Sequence, residues 1–168
     1  MHIEEMTRAD ALTLVASMPL GRLAYALNDQ PYVTPLSFAL EGDDLFGFST
    51  VGQKITSMRV NPKVCVEFER IRNQQDWATV LIGGLFEELD HESGYMDRAY
   101  SLLSQRAAWL QPGYVKTVLT TGEHLLEPVY FRIQIVKVSG RRSVSDKSGP
   151  PLRNLWQRIC QQDGQPYR

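Results

Sequence analysis

The chain has 168 residues, with 18 Lys and Arg against 19 Asp and Glu and a net charge of −1. That is the length of one domain with its own core, and the balance leaves no basic surface for nucleic acid. Two cysteines, Cys65 and Cys160, stand at no metal-ligand spacing and are too sparse for a disulfide framework, so a reducing cytoplasm is expected. His2, His91 and His124 are scattered, and no metal site is expected. The acidic start MHIEEMTRAD lacks the positive charge and apolar run of a signal peptide, and no apolar stretch reaches membrane-spanning length. A soluble, cytoplasmic protein without a membrane partner is therefore expected.

In chain order, Thr7-Arg8-Ala9-Asp10 resembles a capping box with Asp in place of Glu. Ala11, Leu12, Leu14 and Val15 follow at helical spacing, and Pro19 ends the helix. From Gly21 the period becomes that of a strand, and Asn28-Asp29-Gln30 turns it into PYVTPLSFALEG, a hairpin. Pro35 cannot donate to a ladder, so the second strand must lie at an edge, be bulged, or open its backbone toward something other than a strand at Thr34-Pro35-Leu36. Gly42-Asp43-Asp44 turns into LFGFST, and a short helix from about Gly52 to Asn61 buries Ile55 and Met58.

KVCVEFERI alternates as a strand, and after a polar loop WATVLIGGLFEELD forms a long one, with a bulge or bend expected at Gly83-Gly84. Successive hairpins with one short helix predict an antiparallel meander that coils toward a barrel. Ser93 to Leu110 carries the longest helical pattern, and after an irregular stretch VYFRIQIVKVSGRR supplies the last strand. Residues 1–142 are expected to form the domain. Residues 143–168 read as a tail rich in Ser, Lys, Gly and Pro, with one short helical piece, RNLWQRICQQ, suited to docking through Trp156 and Ile159.

The stretch LFGFSTVGQKITSMRVNP holds the strongest chemical signal. A strand runs into Ser49-Thr50-Val51-Gly52 and then into a helix with Lys54 in its first turn. The unpaired N–H groups and positive dipole end of a helix start attract an anion, the two hydroxyls can donate, and Lys54 adds a full charge. Two readings stand: a phosphate site, or the cap and glycine that any strand-to-helix connection uses.

The ordered set GRLAYALNDQPYVTPLSF, LFGFSTVGQKITSMRVNPKVCVEFE, DWATVLIGGLFEEL and YFRIQIVKVSGRR resembles the pyridoxamine 5′-phosphate oxidase-like flavin-binding family, and within it the nitroimidazole-resistance reductase branch. The resemblance covers about Gly21 to Arg142. It implies a mainly β fold, a six-stranded antiparallel split β-barrel of Greek-key type with flanking helices. It also implies a homodimer with FMN in a groove at the subunit interface. The flavin phosphate then falls to Ser49, Thr50, Gln53 and Lys54, and the ring to the backbone of Thr34, Pro35, Leu36 and Ser37, which accounts for Pro35. Trp77 begins the strand that approaches the cofactor in relatives, or serves as core or dimer packing. Arg22, Arg141 and Arg142 match family positions.

One residue departs from the pattern. Many members of the branch carry a histidine where this chain has Phe48, and a phenyl ring can stack or fill space but cannot donate a proton. The leading expectation is an FMN-dependent oxidoreductase that passes electrons from a nicotinamide donor to a small acceptor. The alternatives are storage or carriage of a flavin, deazaflavin or haem without turnover, and, more weakly, pyridoxal phosphate oxidation, since both ligands present a phosphate monoester.

Overall fold

A computed structural model describes residues 1–90, 94–106, 115–119, 122–126 and 128–144. Strand β1 (His2–Glu5) leads into helix α1 (Arg8–Ser17), where the Thr7 hydroxyl caps by accepting from the Asp10 N–H at 3.1 Å. Strands β2 (Leu20–Leu27) and β3 (Gln30–Glu41) form the expected hairpin. Its two turn residues, Asn28 and Asp29, have φ of 51° and 61°, a conformation those side chains tolerate best after glycine. Strand β4 (Asp44–Thr50), helix α2 (Gln53–Val60), β5 (Lys63–Asn73) and β6 (Asp76–Glu88) come next. Helix α3 (Tyr95–Arg106) is succeeded by β7 (Val115–Leu119), β8 (Gly122–Leu126) and the 17-residue β9 (Pro128–Val144).

The main sheet runs β1-β9-β4-β3-β2-β5-β6, and β6 pairs in turn with β9. Six strands therefore close into the expected barrel, and β1 is an addition to the end of β9. After the β2-β3-β4 meander, α2 carries the chain back so that β5 lies beside β2, which is the Greek-key step. The inward faces of Leu23, Phe38, Leu45, Val66, Phe68, Val80, Ile82, Phe131 and Ile133 fill the interior. Ile55 and Met58 of α2 and Ala11, Leu14 and Val15 of α1 complete it. Each such side chain contributes roughly 1.5–3 kcal/mol by leaving water. On the outer face, Ala39, Phe46 and Tyr130 are covered by Ala99 and Leu103 of α3. Both faces of β9 are thus buried, Phe131 and Ile133 inward and Tyr130 outward.

Three parts of the sequence reading change. The polar lead is strand β1, held by its backbone ladder to the end of β9 without apolar alternation, and Glu4 stands opposite Arg142 and pairs with it at 3.6 Å. The stretch expected to be irregular contains the β7–β8 ladder, whose Val115, Thr117 and Val118 are β-branched and favour strands. Strand β9 runs to Val144, two residues past the expected domain end, and the Ser143 hydroxyl donates to the Gln75 carbonyl at 2.8 Å. The helix expected to reach Leu110 is described to Arg106, and the expected tail helix with Trp156 lies outside the described residues. No described helix is long and apolar enough to cross a membrane.

The β6–β9 register shifts between Gly83 and Gly84, as the sequence predicts. A Cβ on Gly84 would lie 2.5 Å from the Gln134 carbonyl oxygen and from Ile133 Cγ2, whereas one on Gly83 would meet only Lys137 Cβ at 3.8 Å. Gly84→Ala should therefore cost about 1–3 kcal/mol of stability through overpacking, and Gly83→Ala should stay within about 0.5 kcal/mol of wild type. Urea denaturation of the two variants checks this; equal effects would remove the steric explanation.

Candidate functional site

Strands β3 and β4 pair only from Phe38–Gly47 to Glu41–Asp44. Before Phe38, the residues Gln30–Ser37 pair with β2 alone, and beyond Gly47, the residues Phe48–Thr50 pair with β9 alone. The two strands separate into a fork. Thr34, Pro35, Leu36 and Ser37 line one prong, with Pro35 opposite Arg22 of β2, so the second edge of this segment pairs with no strand among the described residues. A proline without an N–H is tolerated there for that reason. The Ser37 hydroxyl is buried and has no hydrogen-bond partner among the described residues. A buried, unpaired hydroxyl costs about 1–3 kcal/mol, and an occupant of the fork would relieve it.

Phe48, Ser49 and Thr50 line the other prong, which continues through Val51 and Gly52 into α2. Gly52 is the cap of that helix, and no side chain caps it. The reading of Ser49 and Thr50 as ordinary caps is therefore not what this turn does. Instead the Lys54 ammonium reaches back five residues and donates to Ser49 Oγ at 2.6 Å, and Ser49 donates onward to the Thr50 carbonyl at 3.3 Å. Ser49 is buried at 6 % exposure and Lys54 is half-buried. Lys54 is drawn inward because its neighbour Ile55 is fully buried in the core. Burial pushes the lysine below its ordinary range, and no carboxylate among the described residues pairs with it. Gln53, the first residue of α2, is exposed beside the same helix start.

These residues form a cationic turn whose helix start has no side-chain cap and whose hydroxyls stand beside it, chemistry suited to an oxyanion. Phe48 packs with the outer cluster and lies 6.1 Å from the Tyr130 ring, so it serves as an apolar wall. Trp77 is not brought to this site within one chain. It begins β6 opposite Ile71, its N–H donates to Ser143 Oγ at 2.9 Å, and it lines a separate depression with Ile71, Asn73 and Thr79. Arg22 and Arg142 are engaged elsewhere, with Glu69 at 2.5 Å and with Glu4 and Asp10. Tyr130 and Arg59, which line a depression reaching Val51, escaped the sequence reading. Only the pairing of β9 with β4 brings Tyr130 there, and no local motif announces it.

Fold and site together define a class: a split barrel with a lysine-bearing turn at the fork between two strands. Residues 7–142 match the pyridoxamine 5′-phosphate oxidase family, and the chain belongs to that family. Protein RA0666 of Rhizobium meliloti (strain 1021) is 33% identical over 144 residues, covering 84% of this chain and 95% of its own. A crystal structure described as a FAD-binding protein from Mesorhizobium loti is 31% identical, with a TM-score of 0.70 over 86% of this chain and 98% of that one. A Bacteroides thetaiotaomicron protein, named as a candidate 5-nitroimidazole antibiotic resistance protein, shares the fold at 13% identity, with a TM-score of 0.61 over 84% of this chain and 89% of that one.

Lys54 also shapes the stability of the ligand-free protein. With its folded value depressed below the ordinary 10.5, the unfolded chain binds more protons between the two values, so stability rises with pH in that window. Below the window the cost of burying the charge is present in full. Lys54→Met should accordingly be more stable than wild type at neutral pH, and its advantage should shrink as pH approaches the ordinary lysine value. Thermal melts of both proteins across pH test this; a variant less stable at neutral pH would show that the hydrogen bond to Ser49 outweighs the cost of burying the charge.

Proposed function

We propose that the chain binds the FMN portion of a flavin and acts as an oxidoreductase. The carrying observation is Lys54, half-buried without a carboxylate and held on Ser49 at an uncapped helix start. In this reading Lys54, Ser49, Thr50, Gln53 and the first N–H groups of α2 hold the phosphate. The open edge of Thr34–Ser37 and the orphaned Ser37 hydroxyl orient the ring by offering hydrogen bonds to its polar rim. Phe48 excludes water from one side of the fork. The flavin, when bound, supplies the redox chemistry, taking electrons from a nicotinamide donor and passing them to a small acceptor.

Trp77 lines a separate depression, opposite Ile71. A homodimer that sets a second copy's strand beside the fork would close it and bring in Trp77, and a soluble cytoplasmic dimer is part of the proposal. Sedimentation should give twice the 19.1 kDa of one chain. Phe48 favours one second reading, carriage of the flavin without turnover, because no proton donor stands at that position.

Purified protein should be yellow or should bind added FMN. Replacing Lys54 with Ala should remove charge-assisted hydrogen bonds worth about 1.5–3 kcal/mol and weaken binding at least about tenfold, with the fold intact by circular dichroism. Unchanged affinity would put the phosphate elsewhere. Anaerobic stopped-flow mixing with a nicotinamide donor separates the two readings: rapid bleaching supports the oxidoreductase, and none supports the carrier.

A further inference from the structure

We propose that a second copy of this chain packs on the outer face of β2, β5, β6 and the far half of β9, about a two-fold axis that runs along β6. The proposal rests on the homodimer in the reading above and not on the flavin. Alternation turns Trp77, Thr79, Leu81, Gly83 and Leu85 of β6 outward, because Ala78, Val80, Ile82 and Phe86 are buried in the interior. Directly opposite them stand Ile71, Glu69, Glu67 and Cys65 on β5, and Arg141, Ser139 and Lys137 on β9. Arg22 and Ala24 of β2 continue the face beyond β5. No described helix covers it: α1 and α2 pack into the interior cluster, and α3 lies over the other half of the outer surface, on Ala39, Phe46 and Tyr130. Ile71 is 66% and Leu81 47% exposed, with Leu20 and Leu85 exposed beside them. An apolar strip left open between charged flanks marks a protein interface.

The charges select both the occupant and its orientation. The face is acidic on one side of β6, at Glu67 and Glu69, and basic on the other, at Lys137 and Arg141. Glu69 holds Arg22 within the chain, and Glu5 stands opposite Arg141 on β1. Glu67, Lys137 and Arg141 are in no ion pair among the described residues. Such a face complements itself. Two copies of a sheet packed face to face, about 10 Å apart, can be related by a two-fold axis along the strands or across them. With the axis along β6, β5 of each copy lies over β9 of the other, and Glu67 meets Lys137 and Arg141 twice by symmetry. With the axis across the strands, β5 lies over β5 and each glutamate meets its own copy, which like-charge repulsion opposes. The axis along β6 also lays β1 of one copy, with exposed Ile3, over β2 of the other, with exposed Leu20, next to the β3 prong of the fork.

Sedimentation velocity should find the wild type a dimer, at twice the 19.1 kDa of one chain. Glu67→Lys and Lys137→Glu should each raise the dimer dissociation constant at least about tenfold, because each sets like charges together twice. The double variant, and an equal mixture of the two single variants, should restore the dimer, because opposite charges again meet across the axis. Leu81→Asp, which puts two carboxylates at the axis, should leave a monomer that circular dichroism shows to be folded. Titration of the wild type with FMN, run separately, reports on the flavin reading. A dimer that none of these variants weakens, or a weakening that the mixture does not reverse, overturns this interface and leaves the homodimer standing. A monomeric wild type overturns interface and homodimer together, whatever the flavin result.

Discussion

Strand β4 has two neighbours and cannot keep both along its whole length. It pairs with β9 from Asp44 to Thr50 but with β3 only as far as Gly47. The cause is the next element in the chain. Helix α2 must carry the chain back to place β5 beside β2, and it does so by seating Ile55 and Met58 in the barrel interior. The end of β4 goes with the helix and leaves one edge of the first half of β3 without a strand partner among the described residues. The same anchor half-buries Lys54, so barrel closure and the cationic turn have one cause.

The charge on Lys54 is unusual within this molecule. Arg8, Arg22, Arg59, Arg98 and Arg132 each hold a carboxylate partner, and most of these pairs lie at the surface, where they add little to stability. Lys54 is more enclosed and has only a serine hydroxyl. Keeping an uncompensated charge there works against folding. The Ser37 hydroxyl on the facing prong likewise has no hydrogen-bond partner among the described residues, so each prong of the fork carries a polar group whose burial is not fully offset.

Much of the barrel was legible because its signals are local. Alternation in β2, β5 and β6, the Asn28-Asp29 turn, the Thr7 cap and the Gly83-Gly84 irregularity all depend on residues near one another in the chain. Strand β1 was not legible, because its support is a backbone ladder with Arg141–Val144, far away in the sequence. The face of Tyr130 was equally hidden, since β9 is covered on both sides and alternation alone cannot tell one buried face from another.

For the site, the sequence by itself determined the make-up of the turn before α2: hydroxyls, glycine, helix start and lysine lie within six consecutive residues, so covalent proximity keeps them together. It also indicated through Pro35 that one strand edge had no use for a full ladder. Only the tertiary structure decided that this edge opens onto the same fork as the turn, that the turn is uncapped with Lys54 on Ser49, and that Arg59 and Tyr130 flank it on the far side. Those relations depend on which strands pair and where the pairing stops, a matter of register and long-range packing that local sequence does not encode.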